Sequence, residues 1–210
     1  MVITYGGKAM VRVQNGETVL VMNPPAEIKG KKLPKAGADI GLISLRHLDF
    51  ANDEALSYGE RTPVLAAGPG EYEIGGVYVR GIGTGVFDYG KRRLANTAYT
   101  VLIDGITLCH LGGRVPEGAF PPQIREQFGA VDVVFAPVGE VSWAKEAYGL
   151  ALSLMPSIII PLDLSPKGDA LSAFLKVAGD NPTPVDKLVI KKKDLEGGDD
   201  TKIIVLEPFL

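Results

Sequence analysis

The segment Ser44-Leu45-Arg46-His47-Leu48-Asp49-Phe50 carries the residues whose types and spacing come nearest to a definable chemistry. It follows the pattern of a dinuclear metal-binding loop, H-x-H-x-D-H, with two of its ligands replaced. Leu45 stands at the first His and Phe50 at the last. A catalytic zinc needs three protein ligands and an open position where water can be activated. The whole chain has only two histidines, His47 and His110. The spacing of a metal loop is present, while most of its donors are not.

Other reactive side chains offer no substitute chemistry. His110 ends an apolar strand and reads as a core or supporting histidine. Cys109 alternates with it and reads as a buried thiol with no base beside it in sequence. Ser44 and Ser142 lack the G-x-S-x-G setting of a serine nucleophile. Gly83-x-Gly85 lacks the strand–helix frame of a dinucleotide loop and reads as turn chemistry. Lys191-Lys192-Lys193 lies next to Asp194 and Glu196, as in a solvated turn. Lys91-Arg92-Arg93 reads as an exposed loop with the charge to attract an anion.

These residues have to be positioned by a fold of ordinary composition. The chain has 210 residues, 46% of them hydrophobic, enough to bury one sizeable core. A single domain over residues 1–210 is the simplest organisation. The net charge of −3 and the pI near 5.5 give no general support for nucleic-acid or membrane binding. One cysteine excludes an internal disulfide and fits a reducing compartment. No signal peptide is evident and no apolar run approaches membrane-spanning length, so a cytoplasmic location is expected.

The first half reads as short strands: Val2–Tyr5, Met10–Gln14 and Thr18–Met22, with a hairpin signal at Asn15-Gly16. A basic, proline-containing loop follows from Lys29 to Lys35. Ala38–Ser44 is then a buried strand that delivers the His47 loop. Val64–Ala66, Glu71–Ile74 and Val77–Arg80 follow as strands, then residues 81–95 as a loop, then a hairpin of Ala98–Ile103 and Ile106–His110 turned by Asp104-Gly105. Beyond it the rhythm becomes helix and strand in alternation. Helices are expected at Pro121–Phe128, at Ser142–Leu154 with Ser142 as N-cap, and at Asp169–Ala178. Strands are expected at Val131–Pro137, Ser157–Pro161, Val185–Ile190 and Lys202–Leu206. Hairpins first and βα units later suggest stacked sheets with helices outside.

Segments along nearly the whole chain resemble the metallo-β-lactamase superfamily, in particular its compact bacterial branch similar to L-ascorbate-6-phosphate lactonase. They include Ile3-Thr4-Tyr5-Gly6-Gly7, the stretch from Asp39 to Asn52, Asn96-Thr97, Cys109-His110-Leu111-Gly112 and Ile159-Ile160-Pro161. Gly68-Pro69-Gly70-Glu71-Tyr72-Glu73 is the most specific of them. The resemblance implies an α/β fold, a four-layer αββα sandwich with its site at the sheet ends. It also implies a row of metal ligands that this chain replaces. The ligand positions of the loop read Leu45, His47, Asp49 and Phe50. A later His falls at Phe87, the bridging Asp at Gly113 and the last His at Asp163. The neighbouring pocket positions read Lys8 and Asn23.

In the geometry implied by the resemblance, His47 serves one metal while Asp49 and Asp163 serve the other. No cofactor is therefore expected, with a single divalent metal on His47, Asp49 and Asp163 as the alternative. Two carboxylates buried without a cation would be costly. Lys8, or failing it Arg46, is expected within salt-bridge range of Asp49 or Asp163. The function expected is a non-catalytic binding or assembly module. The alternative is a hydrolase of a small phosphorylated or lactone-like substrate with a rearranged metal site. A third reading is an anion pocket built from Lys8, Arg46 and Arg92 or Arg93. The partners expected are a small anion or a protein, with no nucleic acid and no membrane, and the chain is expected to form a homo-oligomer.

Overall fold

The computed structural model describes residues 1–60, 62–165, 168–196 and 200–209. Two sheets pack face to face. The first half of the chain supplies most of one sheet through β1 (Val2–Gly7), β2 (Met10–Asn15), β3 (Thr18–Met22), β6 (Ile40–Leu42) and β7 (Val64–Ala66). Between β3 and β6 the basic segment folds into a small hairpin of its own, β4 (Glu27–Ile28) and β5 (Lys31–Lys32). A one-turn helix, α1 (Asp53–Leu56), precedes β7.

The second sheet begins with β8 (Gly70–Ile74), β9 (Val77–Tyr89), β10 (Arg92–Ile103) and β11 (Ile106–His110), paired antiparallel in sequence order. The chain then alternates: α2 (Pro122–Phe128), β12 (Val133–Val138), α3 (Ala144–Ser153), β13 (Ile158–Asp163) and α4 (Asp169–Ala178). Strands β14 (Leu188–Val189) and β15 (Lys202–Ile203) close the two sheets at one edge each. The sheet orders are β14-β1-β2-β3-β6-β7 and β15-β13-β12-β11-β10-β9-β8. Strands β11, β12, β13 and β15 run parallel, as helix crossovers require.

The expected αββα sandwich is what the chain adopts. Alternate residues of both sheets interdigitate in the central core, among them Ile3, Val11 and Leu42 from one and Val101, Phe135 and Ile160 from the other. The outer face of the second sheet packs on α2, α3 and α4 through Phe128, Leu150 and Phe174. The outer helical layer over the first sheet is reduced to α1 and an extended segment, with Leu56 and Ala38 covering Met10 and Val21. Tyr99 is fully buried and ties the sheets together, its hydroxyl lying 3.0 Å from the Ile43 carbonyl and 2.8 Å from the Gly68 amide.

Two local expectations need correction. Residues 81–95 are not a loop: they form the outer half of the long β9–β10 hairpin. Gly90 forms the hairpin turn, while the glycines at 81, 83 and 85 mark close approach and irregular pairing. A Cβ on Gly81 would lie 2.4 Å from the Gly68 carbonyl oxygen. The register also shifts between Asn96 and Thr97, leaving Thr84 as the extra residue of a bulge. Ser142 is not an N-cap either. It sits within a 3-10 turn, Val141–Trp143, and its hydroxyl lies 3.4 Å from Glu140. Several strand ends also differ: Val185–Ile190 and Lys202–Leu206 contract to the two-residue strands β14 and β15.

Candidate functional site

The ends of β1, β3, β6, β11 and β13 open on the same side of the sandwich, and the tip of the β9–β10 hairpin folds over them. Lys8 follows β1 with a positive φ of 51°. The chain after β6 makes a compact turn in which the amides of Phe50 and Ala51 donate to the His47 carbonyl at 2.9 and 2.8 Å. The turn places His47 and Asp49 toward the solvent side and Leu45 and Phe50 toward the interior.

At its centre is a charge cluster. Lys8 Nζ lies 2.5 Å from Asp49 Oδ1, and the Tyr89 hydroxyl donates to Asp49 Oδ2 at 2.7 Å. Burial acts to raise the Asp49 pKa. The hydrogen bonds from Lys8 and Tyr89 and the Lys8 charge outweigh it, and the carboxyl titrates below its usual range. The Tyr89 phenol moves the other way, pushed up by burial and by the adjacent carboxylate, so it remains protonated and donating. His47 packs against Tyr89 with ring centroids 4.5 Å apart and planes tilted by 55°. Its Nδ1 accepts the Asp49 amide at 3.2 Å. The same Nδ1 lies 3.4 Å from Asp49 Oδ2.

The countercharge expected on Asp49 is in place, and Lys8 supplies it. Arg46 instead approaches Asp53 at 3.6 Å, on the surface. Asp163 is held separately. Its Oδ1 accepts from the Ser165 amide and hydroxyl at 2.8 and 2.6 Å, and its Oδ2 faces the Leu171 amide at 3.4 Å. The carboxylate therefore links Ser165 to the first turn of α4. Of the cations in the anion reading (Lys8, Arg46 and Arg92 or Arg93), Lys8, Arg46 and Arg93 each face a carboxylate, Arg93 with Asp88 at 3.7 Å.

Below the charge cluster the turn is apolar. Leu45 and Phe50 are buried with Ala9 and Leu94, and Tyr89 packs against them. Gly113 faces this group so closely that a Cβ would lie 2.4 Å from Leu45 Cδ1 and 2.6 Å from Phe50 Cε1.

A neutral polar layer lies deeper. His110 is completely buried; Nε2 donates to the Ala9 carbonyl at 2.9 Å and Nδ1 accepts the Gly112 amide at 3.0 Å. The Asn23 amide nitrogen is 3.5 and 3.4 Å from the two ring nitrogens, lying against the imidazole, while Asn23 Oδ1 accepts the Ser44 amide at 2.8 Å. Asn96 serves Thr84, Leu111 and Gly113 in the same way. Cys109 is buried and its thiol pKa is pushed up by burial. The Ser44 hydroxyl is buried with no hydrogen-bond partner among the described residues, so no base activates it.

The residues from 2 to 163 match the family model of the β-lactamase superfamily domain. The chain belongs to the metallo-β-lactamase superfamily. Three solved structures share the fold over nearly their whole length. A candidate Zn-dependent hydrolase of the superfamily from Thermotoga maritima is 24% identical, with 98% of this chain and 97% of that chain covered and a TM-score of 0.67. The metallo hydrolase Igni18 from Ignicoccus hospitalis is 15% identical over 99% and 95%, with a TM-score of 0.60. The metallo-β-lactamase fold protein YhfI from Bacillus subtilis is 10% identical over 98% and 96%, with a TM-score of 0.61. A search among curated proteins returns no match.

A metallo-β-lactamase metal centre calls for converging imidazoles and carboxylates. The side chains at this site do not fit one. Asp49 is held by an ammonium and a phenol, Leu45 and Phe50 contribute hydrocarbon and no donor atom, and Gly113 has no side chain to ligate with. Among the described residues no three His, Cys, Asp or Glu side chains are grouped as a metal would require.

Tyr89 was not legible as a site residue. With residues 81–95 read as a loop, the period-two pattern that puts Phe87 and Tyr89 on one face was lost. Phe87, aligned to a ligand position, lies instead beside Arg114, whose guanidinium is 5.4 Å from its ring centroid and 4.0 Å from that of Trp143.

The Lys8–Asp49 pair makes a direct test. Replacing Lys8 with Met leaves the carboxylate with one donor and should destabilise the protein by about 1–2 kcal/mol at neutral pH. A folded-state pKa below the unfolded value means that this contribution is present above the unfolded pKa near 3.8 and is lost as pH falls through the folded value. In urea unfolding, Lys8→Met and Asp49→Asn should each lose stability, with a coupling of about 1 kcal/mol in the double variant. Additive losses would show that the pair contributes nothing.

Proposed function

We propose that this chain is a non-catalytic metallo-β-lactamase-fold protein, a binding or assembly module whose former-site positions are Lys8, Asn23, Leu45, His47, Asp49, Phe50, Gly113 and Asp163. The observation that carries this reading is the contact of Leu45 and Phe50 with Gly113. Two apolar side chains fill the space in front of the residue that aligns with a bridging carboxylate, and the residue is a glycine as that filling demands. The Lys8 ammonium supports the same reading, since it balances Asp49 where a cation otherwise would. Neutral Asn23 and His110 complete a site that carries little uncompensated charge.

The test is metal content and activity together. Protein purified without chelator is expected to hold well under one equivalent of Zn, Mn or Fe. It should also show no phosphodiesterase or lactonase turnover after any of these metals is added. Stoichiometric metal accompanied by turnover would replace this reading with the hydrolase one, which the names of the solved relatives favour.

A further inference from the structure

The basic segment between β3 and β6 plays no part in the cluster around Asp49. It folds back on the C-terminal end of the chain. The Phe209 amide donates to the Tyr5 carbonyl at 3.0 Å, and Pro208 bridges to Tyr5, which anchors this end beside β1. Between it and the β4–β5 hairpin lies a cleft of about 450 Å³ lined by Ile28, Lys29, Lys31, Lys32 and Phe209. On the other side of Phe209 it is extended by a smaller cleft of about 210 Å³ that includes Arg12 and Lys35. Phe209 thus stands half-exposed, at 49%, between two basic clefts.

Among the described residues no carboxylate pairs with the charges here. None of the four lysines forms an ion pair among the described residues, and Arg12 donates only to Gln14, at 3.0 Å. Glu27 is the ladder partner of Lys32 but lies beyond ion-pair distance. The chain as a whole is acidic, with a net charge of −3, so five cations around one aromatic ring are a local exception. Lys29 also occupies the first position of the two-residue hairpin turn, with a φ of 49°. Lysine is a costlier choice there than Asn or Gly.

From this arrangement we propose that the cleft binds a nucleotide, with the phosphates on Lys29, Lys31 and Lys32 and the base stacked on Phe209. A phosphate needs concentrated positive charge, and a base needs an exposed ring at the edge of that charge. Ile28, 7% exposed, supplies an apolar floor, and the cleft volume suits a ligand of nucleotide size. The cleft is distinct from the Lys8–Asp49 cluster, and the proposal stands whether or not that cluster takes a metal.

Calorimetric titration of the full chain with ADP, pyrophosphate, adenosine and a short oligothymidylate tests it. ADP is expected to bind saturably at up to about 1 mM, more tightly than pyrophosphate or adenosine, and more weakly as salt is raised. Lys31→Ala combined with Lys32→Ala alters only exposed side chains and should weaken ADP by about tenfold or more. Phe209→Ala should weaken ADP by about tenfold while leaving pyrophosphate within about twofold. Absence of ADP binding, or ADP binding indifferent to the lysine variant, would overturn the proposal. So would pyrophosphate binding as tightly as ADP. Much tighter binding of the oligothymidylate would overturn the small-ligand assignment in favour of a nucleic-acid strand.

Discussion

Gly113→Asp should destabilise the protein by about 4 kcal/mol or prevent its accumulation in folded form. Two effects combine. The new Cβ would fall 2.4 Å from Leu45 Cδ1 and 2.6 and 2.7 Å from two ring carbons of Phe50, both buried residues in a packed group. The carboxylate would then lie among apolar side chains. Lys8 is already engaged by Asp49 and is not free to compensate it. Gly113→Ala separates the two effects: it brings only the steric overlap and should cost about 1–3 kcal/mol. Adding Leu45→Ala to Gly113→Ala opens space and should recover part of that loss at the site itself. Urea unfolding of the three variants measures all of this. A Gly113→Asp protein as stable as the parent would mean that the site accommodates a carboxylate, and the filled-site reading would be lost.

The second large effect is an acid-labile core. Burial pushes the His110 pKa down from 6.5 to about 4, against the opposing influence of its hydrogen bond to the Ala9 carbonyl. The native protein holds the ring neutral, with Nε2 donating and Nδ1 accepting. Between these two pKa values the unfolded chain binds a proton that the native state does not. Stability from this group is therefore complete above about pH 6.5 and falls as the pH drops toward 4, by up to about 3 kcal/mol. Replacing His110 with Ala should cost about 3 kcal/mol at neutral pH, because it leaves a cavity and an unpaired carbonyl and amide. The variant should also lose most of the slope of stability against pH in this window. Urea midpoints measured between about pH 7 and pH 4.5 give both quantities. If the wild-type slope persists in the variant, the acid sensitivity resides elsewhere. The Asp49 contribution is lost at lower pH, so the two groups are separable.

These two residues also show how far the chain is readable without its structure. The strand and helix order was legible because the signals are local. The apolar alternation of Val11, Val13 and Leu20 lies next to turn residues, and Asp169–Ala178 carries its helical pattern without interruption. The composition of the His47 loop was equally direct, since ligand types at fixed spacing either occur or do not. The need for a countercharge on Asp49 followed from electrostatics, since a carboxylate without a metal needs a cation, and the family resemblance put Lys8 beside it.

What the linear chain determined, then, was the sandwich, the thinning of the donor set and the need to balance Asp49. Tertiary structure decided which groups meet. Glycines at 81, 83 and 85 imitate a loop in sequence, yet the long hairpin they belong to carries Tyr89 across to Asp49, 40 positions away. Asp163 looks like a partner for Asp49 until the turn after β13 brings Ser165 and Leu171 to it. The smallness of Gly113 acquires meaning only when Leu45 and Phe50 are packed against it, more than sixty residues away in the chain. Contacts of this kind depend on where two sheets are stacked and how strand ends are aligned, and no local propensity records that.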